Sequence, residues 1–149
     1  MTALALFFAA AICPVSHVHY TPAPGESGGL RSVPWVEASN GAFRAHLFYY
    51  GATPWAKSKK LGARIFTTRV KRSVNPKVLW IPRRVSGART MLIRGRRLDA
   101  SGSFTKSEHV VSGGAFASYV LVPQPGCWRV TVSSGTLSGS VVFAAVDRF

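Results

Sequence analysis

Residues 116–133 constrain this chain more than any other stretch. They read Phe-Ala-Ser-Tyr-Val-Leu-Val-Pro-Gln-Pro-Gly-Cys-Trp-Arg-Val-Thr-Val-Ser. Two valine-rich apolar runs flank Pro123, Gln124, Pro125 and Gly126, a grouping that punctuates strands and cannot continue a helix. Beyond it, Trp128, Val130 and Val132 alternate with Arg129, Thr131 and Ser133. A period of two buries one face of a strand and wets the other. The pattern predicts two adjacent strands joined by a tight connection. Cys127 shares the wet parity at the strand's start, which places it near a sheet corner within reach of a passing segment.

The same grammar recurs along the chain. Strands are predicted over residues 43–50, with Phe43, Ala45, Leu47 and Tyr49 on one parity, and over 63–71, with Phe66 and Val70 together. Further strands are predicted over 78–81, 90–98, 116–122, 127–133 and 138–146. Met91 and Ile93 face inward on the fourth of these strands, with Arg94 and Arg96 outward. The last carries apolar residues on both parities, as a central or covered strand does. Residues 51–62 and the Ser/Gly-rich 99–114 read as connections. About seven short strands with no helical periodicity define an all-β chain, expected as an immunoglobulin-like β-sandwich over 43–149. Residues 13–42, broken by Pro22, Pro24, Gly25, Gly28, Gly29 and Pro34, are expected as an extended arm across it. A length of 149 residues suits one domain.

Residues 3–12 form an apolar run too short to span a bilayer as a helix. With Pro14 immediately after, residues 1–12 read as a secretory signal, although no Lys or Arg precedes the run. A buried structural helix is the alternative. Export sets the expected location as secreted or cell envelope, and no transmembrane helix is expected in the mature chain. Cys13 then has three fates: a disulfide with Cys127, lipidation, or loss with the leader. The disulfide is the expectation, since Ile12 is bulkier than the residue that normally precedes a lipidated cysteine.

Charge carries the functional reading. The chain has 19 Lys and Arg against 5 Asp and Glu, a formal net charge of +14. Residues 57–97 hold fourteen basic side chains and no acidic one. Such a balance attracts polyanions and says nothing of fold. Arg69, Lys71, Arg72, Arg83, Arg84, Arg94, Arg96 and Arg97 are therefore the candidate polyanion-binding residues. Trp55, Phe66 and Trp80 lie among them. They could stack on bases, but Phe66 and Trp80 sit in apolar strands and fit a core better. Nothing points to catalysis: five scattered acids make no general acid–base pair, and no Gly-x-Ser-x-Gly elbow or phosphate loop is present. His17 and His19 have no third ligand at usual spacing, so neither a metal nor any other cofactor is expected.

Three segments together carry a resemblance. They are Cys13-Pro14-Val15-Ser16 with Pro22, Pro24, Gly25 and Glu26; Leu92 to Asp99; and Val122-Pro123 with Gly126-Cys127-Trp128-Arg129-Val130-Thr131. The chain resembles small exported bacterial β-rich proteins of unknown function, with Cys-Pro-Val near the mature start and Gly-Cys-Trp near the end. The resemblance implies that Cys13 is retained with Cys127 as its partner, and it implies no activity. The chain is thus expected to be a monomeric exported module binding anionic envelope polymers. The alternatives are a structural secreted domain without that role and, last, a hydrolase.

Overall fold

The computed structural model describes residues 12–58, 61–70, 74–85 and 87–148. The predicted leader up to residue 11, and Lys71 and Arg72 of the basic set, lie outside the described residues. The fold is all-β, with ten strands among the described residues: β1 (Trp35–Glu37), β2 (Phe43–Leu47), β3 (Arg64–Thr67), β4 (Lys77–Pro82), β5 (Thr90–Arg97), β6 (Ser103–His109), β7 (Phe116–Tyr119), β8 (Leu121–Val122), β9 (Gly126–Ser134) and β10 (Leu137–Val146). They form a four-stranded sheet, β1-β2-β4-β7, and a six-stranded sheet, β6-β5-β9-β10-β3-β8. All pairs are antiparallel except β10–β3 and β3–β8.

The alternation identified in the sequence builds the core. Phe43, Ala45, Leu47, Val78, Trp80 and Phe116 from the smaller sheet meet Met91, Ile93, Trp128, Val130, Val132, Val141 and Phe143 from the larger. Each large apolar side chain removed from water in this way stabilises by about 1.5–3 kcal/mol. The two indole N–H groups buried with them are satisfied: Trp80 Nε1 donates to Ser118 Oγ at 2.9 Å, and Trp128 Nε1 to the Gln124 carbonyl at 2.9 Å.

Several elements differ from the sequence expectation, each for a local reason. The strand read over 43–50 ends at Leu47, and a 3-10 turn follows over Phe48–Ala52. A strand would bury one of Tyr49 and Tyr50; the turn buries both. Tyr49 Oη donates to the Arg64 carbonyl at 2.7 Å, and Tyr50 Oη accepts the Arg64 N–H at 2.7 Å. Burial pushes both phenols above their ordinary value, so they stay protonated donors. Trp55, assigned to a polar loop, is 3 % exposed and stacks on Phe66. With Trp80 and Phe66 also buried, none of these aromatics is open to stack on a base.

Residues 99–114 are not merely a connection, because Ser103–His109 forms the edge strand β6. Phe104 is its one large apolar side chain, and it lies over Gly95 of β5. A Cβ at Gly95 would sit 1.9 Å from the Phe104 ring. The run 116–122 divides between the sheets. Phe116–Tyr119 pairs with β4, Val120 is buried at the crossing, and Leu121–Val122 pairs with β3. The turn at 123–126 therefore joins no hairpin: β10 and β3 lie between β8 and β9. Strand β9 forms its hairpin with β10 instead, turning through Gly135.

The arm is partly built into the sheets, since it contains β1. Cys13 is bonded to Cys127 with Cα atoms 5.4 Å apart, closing 114 residues of sequence separation. Cys127, expected on the wet side, is 4 % exposed because the arm covers the start of β9. His19 bridges to Trp35, and the Trp35 indole donates to the Thr21 carbonyl at 2.9 Å.

Two predictions follow from this packing. On the chain-entropy account a crosslink of such a loop contributes up to about 4.7 kcal/mol. Cys127→Ser should lower the melting temperature by about 5–15 °C in a thermal scan, and reductant should lower it for the wild type only. Gly95→Ala should cost about 1–3 kcal/mol in urea unfolding, because the Phe104 ring must leave its seat.

Candidate functional site

Those of the predicted basic residues that are described do not gather on one face. Arg69 ion-pairs with Asp147 at 3.8 Å beyond the end of β3. Arg83 and Arg84 follow β4, beside Asn40, Ala42 and Leu137. Arg97 is occupied: its Nε donates to Asp99 at 2.8 Å and its Nη1 to Gln124 at 2.9 Å. Desolvation pushes Asp99 up, but the Arg97 hydrogen bond and the Cys127 N–H outweigh it and hold the carboxyl below its ordinary value. Gly126, at φ 135°, makes room for this pair, since a Cβ there would lie 2.8 Å from the Asp99 carboxylate. Arg97 is thus a structural cation.

Arg94 and Arg96 do share a face, the outer one of the six-stranded sheet. Strand register brings Arg129 of β9 directly opposite Arg96, and Thr131 opposite Arg94. On the other side Arg96 meets Ser103 and Arg94 meets Thr105. Beyond β9, Thr131 faces Ser140, their hydroxyls 2.8 Å apart, and Ser133 faces Ser138. The result is three exposed guanidiniums in a field of hydroxyls. No carboxylate occupies an outward position of β5, β6, β9 or β10. Like charges directly opposed across strands destabilise a sheet by about 0.2–1 kcal/mol, and neither Arg96 nor Arg129 makes an ion pair among the described residues. Arg129 was legible only as a wet residue of a good strand; it lies outside the basic stretch, so composition does not single it out.

A cleft of about 510 Å³ adjoins Arg129, lined also by Ser16, His17, Glu37, Ser39, Ser140 and Val142. The arm forms one wall. His17 and His19 meet edge to face at 4.8 Å, and His19 stacks on Trp35 at 4.2 Å. Desolvation, reinforced by His17, lowers the His19 imidazole from its ordinary value against the pull of Glu37.

A second cleft, about 540 Å³, lies between Pro24-Gly25-Glu26 of the arm and Glu37, Arg44 and Arg83. Behind it Glu26 reaches His46 Nε2 at 2.6 Å, and Arg44 stands 3.8 Å from the same carboxylate oxygen. His46 is fully buried and the Glu26 side chain 8 % exposed. Glu26 Oε2 and His46 Nδ1 are buried with no hydrogen-bond partner among the described residues. The pair pins the arm to the smaller sheet. Glu26 belongs to the first segment of the resemblance, but His46, twenty residues further on, belongs to no motif, so nothing in the residue pattern pairs the two.

Among the described residues no group of three or more His, Cys, Asp and Glu is placed to hold a metal ion. No helix there is long and apolar enough to cross a membrane. Compared with protein-family models, with curated proteins and with solved structures, the chain matches none.

The lowered His19 value sets a pH dependence. Below about pH 6.5 the unfolded chain takes up the imidazole proton before the folded chain does. This contribution to stability is full above that pH and is lost as pH falls toward the lowered folded value. The melting temperature should drop from about pH 7 to about pH 5, and His19→Gln should drop less.

Proposed function

We propose that this chain is an exported, basic module that binds anionic polymers of the cell envelope through the outer face of its larger sheet. The carrying observation is the uncompensated Arg96–Arg129 pair with Arg94 on the same face. A sheet that tolerates opposed cations with no carboxylate at an outward position of these strands presents a positive field where an anionic chain can lie. The surrounding hydroxyls add donors without sequence preference. The binding set is thus Arg94, Arg96 and Arg129, narrower than the basic stretch and extended by one residue beyond it.

Export is supported by the Cys13–Cys127 disulfide, which persists in oxidising compartments, and by the resemblance to small exported bacterial proteins. An immunoglobulin-like sandwich is the proposed form of the two sheets, supported by their shared core and the β9–β10 hairpin. No catalytic or cofactor role is proposed. A second reading, a structural secreted domain with no polyanion role, is favoured by the dispersal of Arg69, Arg83, Arg84 and Arg97 and by the ion pairs of two of them.

Charge reversal separates the two. Replacing Arg94, Arg96 and Arg129 by Glu should weaken binding to an anionic polymer and reduce the slope of log affinity against log salt by about 2. Reversing the exposed Arg31, Lys57 and Arg148 removes the same charge and should do much less. Equal losses from both sets, measured by salt titration, would mean that net charge acts alone.

A further inference from the structure

We propose that the cleft beside Arg129 is a saccharide subsite, so that the polymer held by this face is an acidic polysaccharide, with a sugar carboxylate at Arg129. The proposal rests on the anion-binding reading above and narrows its ligand class.

The cleft lining holds two chemically different kinds of group. Ser16 Oγ accepts the Val142 N–H at 2.9 Å and Ser39 Oγ accepts the Ser140 N–H at 3.0 Å. A hydroxyl that accepts still has its own hydrogen to donate. Two O–H donors are therefore fixed along the edge of β10, beside the exposed Arg129 guanidinium. Glu37 also lines the cleft, exposed, with no ion pair among the described residues. Arg129 likewise has no ion pair among them.

A carboxylate is an obstacle in a site for phosphate chains or nucleic acid, whose backbones offer it only repulsion. It has a use where the ligand carries hydroxyls, because an ionised carboxylate is an acceptor only. A uronate residue meets both demands: its carboxylate pairs with a guanidinium, and its ring hydroxyls donate to Glu37 and accept from the serines. An open cleft of about 510 Å³ with a few convergent polar groups is in the size range of small-ligand sites. From Arg129 the polymer continues over Arg96 and Arg94, where Ser103 stands opposite Arg96, and Thr105 and Thr131 stand opposite Arg94 on the two neighbouring strands.

The test compares two probes of matched charge at fixed ionic strength, oligogalacturonate and inorganic polyphosphate, by calorimetry on the full chain. Glu37→Gln should weaken oligogalacturonate binding about tenfold, the scale of one charge-assisted hydrogen bond. The same variant should tighten polyphosphate binding or leave it unchanged, because it removes a repelling charge. Glu37→Asp, which keeps the carboxylate, should recover part of the oligogalacturonate affinity. Melting temperatures measured alongside confirm that each variant is folded. If Glu37→Gln tightens both probes or changes neither, Glu37 is no ligand to sugar and the saccharide assignment is overturned. The triple reversal of Arg94, Arg96 and Arg129 distinguishes the two levels. If it loses both probes while Glu37→Gln fails to discriminate, only the saccharide assignment falls. If it keeps both, or the wild type binds neither, the anion-binding reading falls with it.

Discussion

Strand β10 imposes the constraint on which the rest depends. Its ten residues carry backbone donors and acceptors on two edges, and a buried strand cannot leave either edge unpaired. Strand β9 satisfies one edge over its whole length. On the other, β3 is far too short, reaching only Ala144 to Val146. The remainder is completed piecemeal. Ala63 accepts from Ala144, and Ser16 bonds Val142 through both backbone and side chain. Ser39 accepts from Ser140, and Asn40 donates to the Ser138 carbonyl. The arm is therefore a structural member that finishes a sheet, and the disulfide fixes the end from which it starts.

That arrangement explains what the sequence could and could not show. Alternation in 127–133 and 138–146 reports a strand's own two faces, so the burial of Trp128, Val130, Val132 and Ile93 was readable. Neighbours are a different matter. Residues 116–122 look like one strand because Val120 is apolar wherever it goes, whether in a strand or crossing between sheets. Ser103–His109 looks like a linker because an edge strand needs only one large apolar side chain, and its seat, Gly95, is a residue that ordinarily argues against packing. Tyr49 and Tyr50 conform to the period of a strand only if one of them is left out.

The candidate site was half legible for the same reason. Arg94 and Arg96 were identified as outward residues on a strand. Their partner Arg129 is thirty-three residues from Arg96 in the chain and becomes its neighbour only through antiparallel register. The scarce acids follow a similar rule. Asp99, Glu108 and Asp147 each neutralise a nearby cation. Glu26 and Glu37, both contributed by the arm, stand where the arm meets the sheets. Charge counting averages over these roles, whereas register separates them.

The bonding of Ser16 to Val142 across 126 residues also orders events in time. A chain that emerges amino end first presents the arm long before β10 exists. Until the last strand arrives, the arm has no edge to complete, and Cys13 has no partner until Cys127 follows. Loop closure over such a span is entropically costly and late. The larger sheet therefore cannot be completed until the carboxyl-terminal hairpin is delivered.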